Sequence, residues 1–282
     1  MSKISKALER AELERLKLKG AVAVSEEAPT STATAEMEIE TAPAAPAVPE
    51  HVPAQAVPEI VVDERVLALY DPRSPVAEQY RILRTNLLSL RNGKPIKVVM
   101  LSSAMHSEGK SISCVNLAIT LANDINRRKV LLIDADMRAG TVNQLLGIRP
   151  KLGLSDVLAN DISWTSVLVP TPLPNLMVLP RGTTPPHPAE LLSSNRMHQV
   201  MAEVRTQYDI CLVDSPPIVP LADPGIIGTL TDGAVIVIRG GKTQRTLVQY
   251  AVSLLTQANV QVLGSILTHS ESQIPEYLYR YF

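Results

Sequence analysis

Aromatic side chains are scarce in this chain, with one Trp, one Phe and seven Tyr among 282 residues. Apolar residues still make up 45%, enough for a sizeable core. Cysteine is nearly absent. Cys114 and Cys211 stand far apart, each inside an apolar stretch. That excludes a disulfide framework and any zinc-ligand spacing, and reads as two reduced core thiols. Excess charge is missing too. A net charge of -1 argues against a nucleic-acid binder driven by bulk positive charge, so no nucleic-acid partner is expected. No apolar run reaches the ~18 residues of a membrane span. The first twenty residues also lack the apolar centre of a secretion signal. The expected location is therefore cytoplasmic, unless a partner holds the chain at a membrane.

The charge that is present is unevenly spread. Residues 1–20 carry six basic and three acidic side chains, whereas residues 21–64 carry nine acidic and no basic ones. The second block is rich in Ala, Pro, Glu and Thr and almost free of aromatics. It cannot bury enough surface to offset chain entropy, and a disordered linker is expected. Residues 2–19 are good helix formers and read as a short helix. It is either solvated or a docking element for a partner or membrane surface. The remainder divides into a folded domain over 65–274 and a tail over 275–282.

Within the domain, residues 74–91 read as a helix. Ser74 is suited to cap it and Pro75 to open it. Val76, Tyr80, Leu83, Leu87 and Leu90 recur at four- and three-residue steps, giving one apolar stripe. Glu78 and Arg81 point away from that stripe and Arg84 flanks it. From residue 96 onward, apolar runs at 97–102, 130–134, 176–179, 210–214, 234–239 and 262–267 alternate with helical segments near 110–126, 188–206, 222–230 and 243–258. This pattern predicts an α/β fold, a doubly wound and mainly parallel sheet with helices on both faces. Ligands of such sheets bind at the carboxyl ends of the strands.

Chemistry-bearing residues fall at those ends. After the first strand comes Ala104-Met105-His106-Ser107-Glu108-Gly109-Lys110-Ser111, then a helix. This has the form of a phosphate loop, in which backbone N–H groups and a helix N-terminus cradle an anion. In that form Lys110 reaches the β- and γ-phosphates and Ser111 ligates Mg²⁺. The nucleotide contacts would run over Ser107, Glu108, Gly109, Lys110, Ser111 and Ile112. Ala104 occupies the position where the strict motif has its first Gly. The second strand ends Asp134-Ala135-Asp136-Met137-Arg138, which puts two carboxylates beside the loop. There they can hold Mg²⁺ water and take a proton from an attacking hydroxyl. The fourth strand ends Val213-Asp214-Ser215-Pro216-Pro217, the Walker B form whose acid supports the magnesium.

Together these three elements resemble the bacterial tyrosine kinases, P-loop kinases of capsule and exopolysaccharide assembly. The resemblance covers roughly residues 70–282 and implies a P-loop NTPase fold with ATP and Mg²⁺ as ligands. It implies that Lys110 binds phosphate and Asp134 acts as base. Ser111, Asp136 and Asp214 would serve the metal. Glu78-Gln79-Tyr80-Arg81-Ile82-Leu83-Arg84 looks like the family's Glu-x-x-Arg-x-x-Arg oligomerisation motif. That implies a ring-like homo-oligomer in which Glu78, Arg81 and Arg84 pair between subunits. Tyr277, Tyr279 and Tyr281, clustered in the last six residues, would be phosphoacceptors in a neighbour's site. Their alternative is an aromatic patch that docks or mediates association. A membrane-embedded polysaccharide co-polymerase, acting as chain-length activator, and a cognate phosphatase are the implied partners. Recruitment to the inner face of the membrane would follow. Residues 1–15 look like the subgroup found beside exosortase systems. The loop departs from the family's Pro-Gly-Glu-Gly-Lys-Ser at His106 and Ser107, and a side chain at 107 is expected to strain the cradle. Two other readings stand beside the autokinase: a catalytically weak ATP-binding regulator of polysaccharide assembly, and a Min/Par-type ATPase.

Overall fold

The structure, a computed structural model, describes residues 62–90 and 95–269. The helix expected over 2–19, nearly all of the linker expected over 21–64 and the tail expected over 275–282 lie outside the described residues.

Helices α1 (Leu67–Tyr70) and α2 (Pro75–Ser89) precede β1 (Val98–Ser103). Then follow α3 (Lys110–Ala122), β2 (Val130–Asp134), α4 (Val142–Leu145), α5 (Leu154–Asn160), β3 (Val169–Pro170) and β4 (Leu176–Leu179). The domain continues through α6 (Pro188–Leu192), α7 (Asn195–Gln207), β5 (Ile210–Asp214), α8 (Asp223–Thr229), β6 (Gly233–Arg239), α9 (Arg245–Gln257) and β7 (Val262–Thr268). The seven strands form one sheet in the order β3-β4-β2-β5-β1-β6-β7. Every pairing is parallel except that of β3 with β4.

The central strands are buried on both faces because successive side chains point to opposite sides. Met100, Ile133 and Val213 face one core, with Val200 and Val204 of α7 and Leu255 of α9. Leu101, Leu132 and Leu212 face the other, with Leu117 and Leu121 of α3 and Leu87 of α2. Fully burying one such aliphatic side chain is worth about 1.5–3 kcal/mol. This two-faced packing is what fixes the strand ends relative to one another.

The six expected strands all form, with ends within one residue of expectation. Four details differ. The helix expected near 110–126 stops at Ala122. The helix expected over 188–206 is two helices, α6 and α7, because the Ser194 hydroxyl accepts from the Met197 amide and starts a new helix. The stripe on α2 is turned at its ends. Ala77 and Leu87 are buried and Tyr80, Leu83 and Leu88 pack beside them, while Val76 and Leu90 are 45% and 36% exposed. Ser74 does cap that helix, accepting from Ala77 N at 3.2 Å. The two-residue β3, antiparallel at the sheet edge, is too short to leave a periodic trace.

Candidate active site

The β1–α3 connection has the backbone geometry of a phosphate loop. Gly109 has φ of +93°, and a Cβ there would meet Thr268 Cγ2 at 3.3 Å. Ser107 also adopts a left-handed conformation, φ +61°. For a residue with a Cβ that costs about 1–2 kcal/mol relative to glycine, so the strain expected at this position is present. Glu108 ties the loop down. Its Oε2 accepts from Met105 N at 3.0 Å, its Oε1 accepts from the Thr243 hydroxyl, and its carbonyl accepts from Thr268 Oγ1 at 2.8 Å.

On the other side of the loop, two carboxylates converge on one ammonium, and a third lies on the neighbouring strand end. Lys110 Nζ lies 2.7 Å from Asp136 Oδ2 and 3.7 Å from Asp214 Oδ2. It donates to Ser111 Oγ at 3.2 Å, and that hydroxyl donates to Asp214 Oδ2 at 2.6 Å. The parallel register of β2 on β5 sets Asp134 directly opposite Asp214. All three acids are essentially buried, at 0%, 1% and 0% exposure for Asp134, Asp136 and Asp214.

Charge is distributed unequally among them. Burial pushes the Asp134 carboxyl well above the ordinary range, and repulsion from Asp214 adds to this. Burial also raises Asp214, against the pull of Lys110 and the Ser111 hydrogen bond. Burial acts on Asp136 as well, but Lys110's charge and hydrogen bond outweigh it and hold Asp136 below the ordinary value. Burial opposes the Lys110 charge, yet Asp214 and Asp136 more than compensate and its pKa rises. The result is a fixed cation beside one acid held down and two acids, Asp134 and Asp214, pushed up by burial. That division of roles suits proton transfer.

Asp134 Oδ2 and Asp214 Oδ1 are buried and have no hydrogen-bond partner. Buried carboxylate oxygens without donors suit a hard cation, and the neighbouring Ser111 hydroxyl is a second hard donor. Among the described residues no group of three or more His, Cys, Asp or Glu side chains is arranged to hold a metal alone. A Mg²⁺ site of this kind draws its remaining ligands from phosphate and water. The residues present therefore fit Mg²⁺ bound together with a nucleotide.

The loop after β2 closes tightly over Asp134. Gly140 N donates to the Asp136 carbonyl at 2.8 Å, and Ala139 N donates to Asp136 Oδ1 at 2.9 Å. A Cβ on Gly140 would lie 2.5 Å from both Asp134 carboxylate oxygens. Arg138 leaves this loop and forks onto buried Asp223 at the start of α8, Nε to Oδ2 at 2.8 Å and Nη2 to Oδ1 at 3.1 Å.

The structure thus brings Lys110, Ser111, Asp134, Asp136 and Asp214 together, with Ser107, Glu108, Gly109 and Ile112 alongside. Sequence reasoning missed Gly140, Asp223, Thr243 and Thr268. Their partners are far away in the chain. Only the glycine a few residues past a two-acid strand end was a visible signal. Glu78 and Arg81 pair with each other on exposed α2, and Arg81 also reaches the Pro72 carbonyl. Arg84 turns inward instead. Its Nη1 donates to Thr120 O at 3.1 Å and lies 3.9 Å from Asp124. Tyr277, Tyr279 and Tyr281 lie outside the described residues.

Known proteins resemble this chain in sequence and fold. A family model described as an AAA domain matches residues 96–240. Tyrosine-protein kinase YwqD of Bacillus subtilis is 37% identical over 219 residues, which is 77% of this chain and 92% of that protein. Tyrosine-protein kinase wzc of Salmonella typhi is 36% identical over 72% of this chain, which spans only 28% of that longer relative. The solved kinase domain of Escherichia coli tyrosine kinase ETK superposes with a TM-score of 0.68 at 28% identity, covering 74% of this chain and 83% of that one. With a relative matched over nearly its whole length and a solved kinase domain sharing the fold, this chain belongs to the bacterial tyrosine kinases.

Proposed function

We propose that this chain is an ATP-dependent protein-tyrosine kinase that phosphorylates the C-terminal tyrosines of neighbouring copies and thereby regulates exopolysaccharide or capsule synthesis. The observation that carries the reading is the convergence of Lys110, Ser111, Asp134, Asp136 and Asp214 at the carboxyl ends of three adjacent strands. In this reading the loop amides and Lys110 hold the triphosphate. Ser111, Asp136 and Asp214 hold Mg²⁺, which would neutralise phosphate charge when bound. The acceptor tyrosine oxygen attacks the γ-phosphorus. The bond from that phosphorus to the β,γ-bridging oxygen breaks, ADP leaves, and the tyrosine proton passes to Asp134. The raised pKa of Asp134 supports it as that proton's acceptor.

The acceptors in this proposal are Tyr277, Tyr279 and Tyr281, delivered in trans within a ring-like homo-oligomer. The exposure of Glu78 and Arg81 on α2 supports that face as a contact between copies. No helix among the described residues is long and apolar enough to cross a membrane. The proposal accordingly gives membrane recruitment and activation to a membrane-embedded co-polymerase, and reversal to a phosphatase.

The test is incubation of the full chain with Mg-ATP and a cytoplasmic activator fragment, followed by phosphotyrosine detection. The unchanged chain should label. Lys110→Met should lose both nucleotide binding and label. The triple Tyr→Phe variant at 277, 279 and 281 should keep ATP binding and lose label. No label despite intact ATP binding would sink the kinase reading in favour of a catalytically weak regulator. Ser107 in its left-handed conformation is the specific observation behind that second reading. Label persisting in the triple variant would remove the tail as acceptor.

A further inference from the structure

Arg138 belongs to the strand-end motif, yet the roles assigned so far leave it idle. Its surroundings are unusual for an idle side chain. It sits in the loop that wraps Asp134, two residues past Asp136, and Asp136's charge contributes to raising its pKa. Asp223 grips it by a two-point fork, and Asp223 is only 1% exposed while the Arg138 side chain is 40% exposed. A carboxylate buried to that degree is costly unless paired, so the fork fixes the guanidinium plane. The fork uses Nε and Nη2. Among the described residues Nη1 has no hydrogen-bond partner, and the guanidinium lies near enough to Asp136 to feel its charge.

We infer that Arg138 is a charge-stabilising residue for the phosphoryl group in flight, and that Asp223 is the positioning residue that aims it. The inference rests on the phosphoryl-transfer reading above and deepens it. The transferring group spreads negative charge over its equatorial oxygens, and pre-aimed N–H donors stabilise that charge without reorganising. Lys110 neutralises the group from the phosphate-loop side. Arg138 supplies donors from the β2 side, where the acceptor oxygen arrives. It makes and breaks no bond and moves no proton. A lysine cannot substitute, because one ammonium offers neither the fork to Asp223 nor a fixed plane.

The experiment compares the affinity of the full-length chain for Mg-ADP alone with its affinity for Mg-ADP plus aluminium fluoride, a mimic of the planar phosphoryl group. The unchanged chain should tighten on fluoride. Arg138→Ala and Arg138→Lys should lose roughly 10²-fold of that tightening with ADP affinity little changed, while Arg138→Ala lowers the melting temperature because buried Asp223 loses its partner. Asp223→Asn should lose roughly 10-fold, and adding it to Arg138→Ala should cost nothing further, because Asp223 acts through Arg138. Equal fluoride tightening in Arg138→Ala and the unchanged chain would overturn the inference. So would a fall in ADP affinity that matches the loss, since the fork would then be scaffolding only. Absence of any tightening in the unchanged chain would overturn it as well. Tightening that depends on Arg138 in a chain that labels no tyrosine would refute the kinase reading and keep this one.

Discussion

The two flanks of the phosphate loop are built on different physics. On the β2–β5 side, Asp134, Asp136 and Asp214 are buried, and one lysine pairs with two of them, Asp136 and Asp214. On the β6–β7 side, Glu108, Thr243 and Thr268 form neutral or singly charged hydrogen bonds at the loop's back, and β7 itself is largely exposed. The first flank tolerates no error, because an unpaired buried charge costs several kcal/mol. The second tolerates small changes, because each contact is worth about 1 kcal/mol. It is in the loop itself, between the two flanks, that His106 and Ser107 stand in place of the expected Pro and Gly.

Gly140→Ala would break the carboxylate flank with the largest effect. Its Cβ would collide with both Asp134 oxygens. Overpacking of this kind costs roughly 1–3 kcal/mol of stability. Displacing a reacting group by about 1 Å should slow transfer by roughly 10²-fold. A thermal melt and a phosphotyrosine time course would read both.

The pH profile sharpens the same flank. A base must be deprotonated to act, and burial holds the Asp134 pKa well above the carboxylate range. The transfer rate at saturating Mg-ATP should therefore rise with pH through an ionisation above that range and fall as pH drops below it. Asp134→Asn should give a much slower, flat profile, and a flat profile in the unchanged chain would remove Asp134 as the base.

Thr268→Ala probes the other flank. It deletes the donor to the Glu108 carbonyl and should weaken nucleotide binding by roughly fivefold, the equivalent of about 1 kcal/mol, without altering the pH profile. The smallest effect, and the only gain, is expected from Ser107→Gly. Relief of the left-handed strain is partly offset by glycine's greater freedom in the unfolded chain. Nucleotide affinity should improve about two- to fivefold, as titration with a fluorescent ATP analogue would read. If it worsens, Ser107 is making a contact that outweighs its strain.

Legibility divides along the same line. The carboxylate flank was readable because each acid ends an unbroken apolar run, and a parallel sheet brings run-ends together. Lys110 and Ser111 were readable from the Gly-Lys-Ser step between strand and helix. Thr243 and Thr268 were not, since each meets Glu108 across more than a hundred residues, and a lone threonine carries no periodic or spacing signal. Asp223 lies at the start of the helix expected near 222–230, and only the fold brings Arg138 to it. The break between α6 and α7 was available in Ser193-Ser194 and was overlooked because the apolar pattern continues across it. Arg84 was placed correctly beside the apolar stripe, but its inward partner, the Thr120 carbonyl, belongs to a different helix.

Gly140 has a consequence beyond this molecule's chemistry. Any side chain at that position begins with the same Cβ, so every substitution meets the Asp134 carboxylate in the same way. The site is closed to drift by shape alone, whatever the chemistry of the replacement. Where this loop geometry recurs, the spacing Asp-x-Asp-x-x-x-Gly is thus a mark by which such an enclosed carboxylate can be searched for in sequences that have no structure.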